Sequence, residues 1–187
     1  QKEIFRLTHR RMDSMGLLSS EAGETVRDQY LLFHNNFPQI CNQNFHEQGR
    51  EFLYTLNKTP YWSSIQIEKE SKEMFPKLMD ANFSNWLSIY IYGIKHGFKT
   101  WWILAFIIGV FIFSLIRSIR RKDETFEFLF FASSLLLSNA MVTAMASHSI
   151  QRYLFYNYFL GFIIVILILR KLIQFYESRS LGSNAMS

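Results

Sequence analysis

The stretch "WWILAFIIGVFIFSLI" (101–116) carries no charged residue, and its reading decides the fold. A helix rises about 1.5 Å per residue, so this run falls slightly short of a hydrocarbon core roughly 30 Å thick. Lys99 and Arg117 flank it. Their aliphatic stems can run along the apolar layer while the charges reach its edge, which closes the gap. Two comparable runs follow. "FLFFASSLLLSNAMVTAMAS" (128–147) is uncharged throughout, and "YLFYNYFLGFIIVILILRKLI" (153–173) is charged only near its end. A soluble core helix rarely stays uncharged for so long on every face. All three therefore read as membrane spans, at about 100–117, 128–147 and 153–173.

The average over the chain conceals this division, because mean hydropathy is close to zero. Residues 1–81 are mixed and charged, whereas 86–173 are mostly apolar and aromatic. Nineteen Phe, nine Tyr and four Trp among 187 residues exceed what an ordinary soluble domain of this size carries. The net charge of +5 does not point to nucleic acid, because basic residues sit beside apolar runs, as in "RSIRRK" (117–122) and "RK" (170–171). Such flanking Lys and Arg mark the cytoplasmic ends of membrane helices. Arg117, Arg120, Arg121 and Lys122 place the first link inside, and Arg170, Lys171 and Arg179 place the tail, 176–187, inside as well. "SHSIQR" (147–152) then faces outward, and three spans put residues 1–85 outside the cytoplasm. Lys95 and Lys99 oppose this assignment weakly.

Between the two regimes, "NWLSIYIYGIKHGFK" (85–99) repeats Trp86, Tyr90, Ile94 and Phe98 at four-residue spacing. Its aromatic face suits a helix in the headgroup layer, 86–99, with Gly93 and Gly97 as turning points. A plain extension of the first span fits equally well. The polar region, 1–85, reads as short helices and irregular loops. "SSEAGETVRDQYLLFHNNF" (19–37) has a cap candidate at Ser19 or Ser20, followed by acids. "FHEQGREFLYTLN" (45–57) puts Phe45, Phe52 and Leu53 near one face, Pro60 breaks the pattern, and Pro76 interrupts the helix over 68–83. The region has few large aliphatics for a core of its own. Asn57-Lys-Thr and Asn82-Phe-Ser match the glycosylation acceptor pattern. Cys41 is the sole cysteine, which rules out an intrachain disulfide and a cysteine metal cluster and leaves a structural thiol.

Three groups could carry chemistry. The first is His148, Gln151, Arg152 and Tyr153 in the outward connection. A guanidinium at a membrane surface can grip a phosphate bidentately while His or Tyr adds hydrogen bonds. Arg152 and Tyr153 could equally anchor the third span at the headgroups. The second is the line Asn139, Thr143 and Ser147, with Ser134 and Ser138 nearby, as a cavity lining or as interhelical hydrogen bonding. No acid lies inside a span, which disfavours a proton-coupled transporter or pump. The third is Asp28, Glu47, Glu51 and His34 or His46 as acid–base pairs or metal ligands. Their spacing matches no ligand signature, and solvated charges are the simpler reading, so no metal and no cofactor is expected.

"SHSIQRYLFYNYFLGFIIVILILRK" (147–171) resembles the C-terminal part of polytopic glycosyltransferases of the GT-C superfold. Arg152-Tyr153 stands where these enzymes carry an Arg-Tyr pair at the outer start of a late span, and Arg170-Lys171 stands at its basic cytoplasmic end. The preceding order of outer segment, aromatic stretch, span, basic loop and span extends the resemblance over about 85–175. Many members follow Arg-Tyr with a proline-containing stretch, where this chain has "LFYNYF". The resemblance implies transfer of a sugar from a polyprenyl-phosphate donor on the outer face, with Arg152 helping to hold the donor phosphate. It also implies a catalytic acid in a first outer loop to which nothing here corresponds. A start at Gln1 among charged residues agrees with the expectation of a C-terminal piece of a longer protein. The fold class expected is thus an all-α integral membrane protein with three transmembrane helices and a mostly helical or irregular extracytoplasmic N-terminal region. The partners expected are the lipid bilayer and other membrane helices or subunits, and the resemblance implies a polyprenyl-phosphate sugar as a further one. The alternative function is a non-catalytic membrane subunit that presents residues 1–85 to an outer partner, with a channel or transporter fragment as a weaker third.

Overall fold

A computed structural model of the chain describes residues 1–120, 123–146 and 155–184. The described residues are helical almost throughout and contain no strand. They fall into two compact units, Gln1–Gly93 and Ile94–Ser187.

The first unit contains α1 (Lys2–Ser14), α2 (Val26–Asn35), a wide π-helix (Pro38–Glu47), α3 (Gln48–Asn57) and most of α4 (Pro60–Gly97). Its buried apolar centre is small: Ile4 of α1, Leu53 of α3 and Ile67 of α4, with Phe45 and Phe52 against them. The helical face expected from Phe45, Phe52 and Leu53 is therefore the one that packs. Gly49 makes this approach possible, because a Cβ there would stand 2.2 Å from Ile67 Cδ1. Polar side chains tie the helices together around this centre. Buried Thr8 donates to the Asn44 carbonyl (3.1 Å), Gln1 Nε2 donates to Glu73 Oε2 (2.9 Å), and Lys77 Nζ donates to Gln1 Oε1 (3.0 Å). Burial pushes the Cys41 thiol up to about 11, which keeps it protonated at neutral pH.

Local signals decide where these helices begin and end. Helix α2 is capped by Thr25, whose hydroxyl accepts from the Asp28 amide (3.2 Å), and not by Ser19 or Ser20. The two serines belong to a separate short 3₁₀ turn, Ser19–Glu21, and Gly23 at φ +98° separates that turn from α2. Only glycine takes that conformation freely, so the chain cannot continue one helix from Ser19 into Val26. Helix α3 ends at left-handed Lys58 (φ 57°), and Pro60 opens α4, where its missing N–H costs nothing. Pro76, by contrast, lies inside α4 without ending it. The backbone leaves helical geometry at Asn82 (φ −132°, ψ 25°). There the Asn82 side-chain amide donates to the Leu78 carbonyl (3.2 Å), offering the backbone an alternative to the helical ladder.

The second unit is an up-down-up bundle of α5 (Trp101–Arg120), α6 (Glu124–Ala146) and α7 (Phe155–Asn184). The ring pairs Phe111–Phe130 (5.3 Å) and Phe113–Phe126 (5.7 Å) run in opposite directions along α5 and α6, as antiparallel neighbours must. Three segments, Trp101–Arg120, Glu124–Met145 and Asn157–Glu177, are long and apolar enough to cross a membrane. Their inner faces combine Leu104, Ile107, Leu136 and Ile164 with fully buried small residues: Ser114, Ala132 and Ser133. Small residues let helix backbones approach closely, and the buried serine hydroxyls return their hydrogens to carbonyls of their own helices. The outward faces are apolar as well, Trp102, Phe159 and Ile166 among them, which suits contact with lipid.

Two turns frame the bundle. Between α4 and α5 the left-handed residue is Lys99 (φ 65°), two positions past Gly97, and Thr100 Oγ1 accepts from the Ile103 amide (3.3 Å) to start α5. Helix α5 is thus a new element and not a continuation of α4. At the other end Asp123 Oδ1 accepts from the Thr125 amide (2.9 Å) and caps α6. Lys171 of α7 reaches the same carboxylate at 2.8 Å. That hydrogen bond, with the cap, holds the Asp123 carboxyl below its usual range.

Candidate functional site

The end of the bundle where α5 begins, α6 ends and α7 begins can be named after Lys99. It contains a cavity of about 270 Å³. Its walls come from all three helices: Ile103, Phe106 and Ile107 of α5, Leu136 of α6, and Phe162 and Val165 of α7, with Phe98 from the preceding turn. Its polar edge consists of Lys99, Asn157 and Tyr158. Gly161 also lines it, and a Cβ added there would meet nothing within 4 Å. The absent side chain therefore widens the cavity.

Asn157 fixes this end of the bundle. It is 8% exposed, and its Oδ1 accepts a hydrogen bond from Asn139 Nδ2 at 2.8 Å, joining α6 to α7. Thr143 Oγ1 donates to the Asn139 carbonyl at 2.7 Å. Of the polar line expected along α6, Asn139 and Thr143 thus act in interhelical and intrahelical hydrogen bonding. Ser134 and Ser138 donate to carbonyls one turn back (both 2.7 Å), and Ser147 lies outside the described residues. The sequence pattern missed Asn157. Its signal was a lone amide in the aromatic run "FYNYF" (155–159), paired in type with the lone amide Asn139 of the preceding span.

His148, Gln151, Arg152 and Tyr153 lie outside the described residues. What is described is the pair of helix ends that their segment joins, Ala146 of α6 and Phe155 of α7. The third group does not assemble. Asp28 hydrogen-bonds its own cap residue Thr25 (2.5 Å), and Glu51 accepts from Gln48 (3.0 Å). His34 stacks on Tyr30 (5.6 Å), and His46 packs edge-on to Phe45 (5.3 Å). Among the described residues no group of three or more metal-capable side chains gathers.

No protein-family model, curated protein or solved structure matches this chain.

Proposed function

We propose that the chain forms the C-terminal, donor-holding part of a membrane glycosyltransferase that moves a sugar from a polyprenyl-phosphate donor at the outer membrane face. The supporting observation is the Lys99-end cavity, whose apolar walls lie on three membrane-length helices and whose edge carries an ammonium, a phenol and an amide. A polyprenyl phosphate divides in the same way, into an apolar chain and a charged head. In the sequence, the stretch between α6 and α7 carries His148, Gln151, Arg152 and Tyr153. Arg152 is assigned the phosphate, because its planar guanidinium matches two phosphate oxygens at once. His148, Gln151 and Tyr153 add hydrogen bonds, and Lys99 adds a second positive charge.

The cavity is slightly smaller than the roughly 300–1,000 Å³ usual for small-molecule sites. It accommodates only the part of the chain nearest the phosphate, and the rest of a long isoprenoid remains in the bilayer. Among the described residues no carboxylate lines it, and acceptor activation is assigned to another part of the enzyme. The outer-face assignment rests on the basic residues from Arg117 to Lys122, which follow the first apolar run in the sequence, whereas Lys99 precedes it.

The test is transfer from a polyprenyl-phosphate sugar by the intact protein in its membrane. Arg152→Ala should lower kcat/KM on the order of 30-fold or more, the equivalent of losing one desolvated charge pair. Protein level and helical circular dichroism should not change. Undiminished transfer by the variant would contradict the phosphate role. A second reading, a non-catalytic subunit, is favoured by one observation: only 6% of the apolar window of α7 is buried. Faces so little covered by their own chain can receive neighbouring helices as well as lipid. A stoichiometric partner purified with a protein that shows no transfer would select that reading.

A further inference from the structure

We propose that a second cavity, at the Arg117 end of the bundle, holds the headgroup of an anionic phospholipid drawn from the surrounding leaflet. This cavity measures about 480 Å³ and lies between the end of α5, the start of α6 and the later half of α7. Phe113, Phe126 and Leu172 belong to its apolar wall, while Arg117, Lys171 and Gln174 are polar lining groups. Charge decides the occupant. Lys171 is already paired with Asp123, at 2.8 and 3.2 Å from its two carboxylate oxygens. The Arg117 guanidinium rests over the rings of Phe113 (5.5 Å) and Phe126 (5.8 Å), and among the described residues no salt bridge joins it to a carboxylate. Glu124 and Glu127, in the first turn of α6, do not line the cavity.

Two cations against one carboxylate leave one positive charge in an apolar-walled cavity, and a phosphodiester supplies one negative charge. A free inorganic phosphate would gain nothing from the walls. A phospholipid gains from both parts, since its acyl chains can continue along the exposed outer faces of Phe113 and Leu172. This inference does not depend on the polyprenyl-phosphate reading, which concerns the opposite end of the bundle.

The test uses the intact protein in nanodiscs of phosphatidylcholine containing a minor fraction of phosphatidylglycerol. Native mass spectrometry then counts the phosphatidylglycerol retained after gentle release into detergent. Wild type and Arg120→Gln, which removes an exposed charge outside the cavity, should retain the same number. Arg117→Gln should retain one fewer. Leu172→Trp, which keeps every charge but fills the cavity, should also retain one fewer. Equal retention by Arg117→Gln and wild type would overturn the proposal, as would an equal loss in Arg120→Gln, which would mean general attraction to charge. Should Arg117→Gln fail to reconstitute, Leu172→Trp decides alone, and unchanged retention there overturns the proposal.

Discussion

Ile4→Ala should destabilise the first unit by about 3 kcal/mol, within the range measured for truncating a fully buried aliphatic side chain. Ile4 is 1% exposed and belongs to a centre whose other fully buried apolar members are Leu53 and Ile67. With so few members, the loss of one is a large part of a domain stability that is typically only 5–15 kcal/mol. Gly49 and Ile67 already pack at close range beside it, so the helices are not free to collapse into the space. Hydrogen exchange in the intact protein should show the backbone amides of α1 and α3 losing protection together. Phe5→Ala, at a neighbouring position that is 47% exposed, should cost less than about 1 kcal/mol. Equal effects of the two substitutions would mean that this face of α1 is not the packed one.

The second large effect is expected at Ala132. Its side chain has no exposed surface, and it sits in the cluster that joins α5, α6 and α7. Phenylalanine there must push the helices apart, because neighbouring Ser133 is also fully buried and leaves no slack. Overpacking of this size costs about 3 kcal/mol. In a membrane the separated helices would be solvated by lipid chains without an apolar penalty, so bundle integrity depends on this close fit. Titration of the reconstituted protein with a denaturing detergent should show Ala132→Phe losing its tertiary fold well before wild type. Phe131→Ala, one position away and 59% exposed, should behave like wild type. A wild-type profile for Ala132→Phe would disprove the close packing.

The parts of this fold legible in the sequence are those set by long averages. Uncharged runs of membrane length need no partner to be recognised, so 101–116, 128–147 and 153–173 anticipated three helices of membrane-crossing length. Single-residue events were harder to read. Ser19, Ser20 and Thr25 are all good caps by type, and only the left-handed Gly23 decides among them. Pro76 is the stronger breaker by propensity, yet the irregular residue is Asn82, whose side chain competes for the Leu78 carbonyl. Pairings across helices were invisible for a different reason. Asn139–Asn157 and Asp123–Lys171 link residues far apart in sequence, and no local pattern states which amide or carboxylate another side chain will meet. Of the candidate site, the residue types at 148–153 were legible, while the cavity depends on Lys99, Asn157 and Gly161 meeting at one end of the bundle.

The most direct measurement is retention of undecaprenyl phosphate by the intact, folded protein, counted by native mass spectrometry for wild type, Gly161→Phe and Gly109→Phe. A Cβ at either glycine meets nothing within 4 Å, so both variants should fold, but only Gly161 lines the Lys99-end cavity. Wild type and Gly109→Phe should each keep one undecaprenyl phosphate, and Gly161→Phe should keep none. Absence of the lipid from wild type, or its undiminished presence on Gly161→Phe, would contradict a donor site in this cavity.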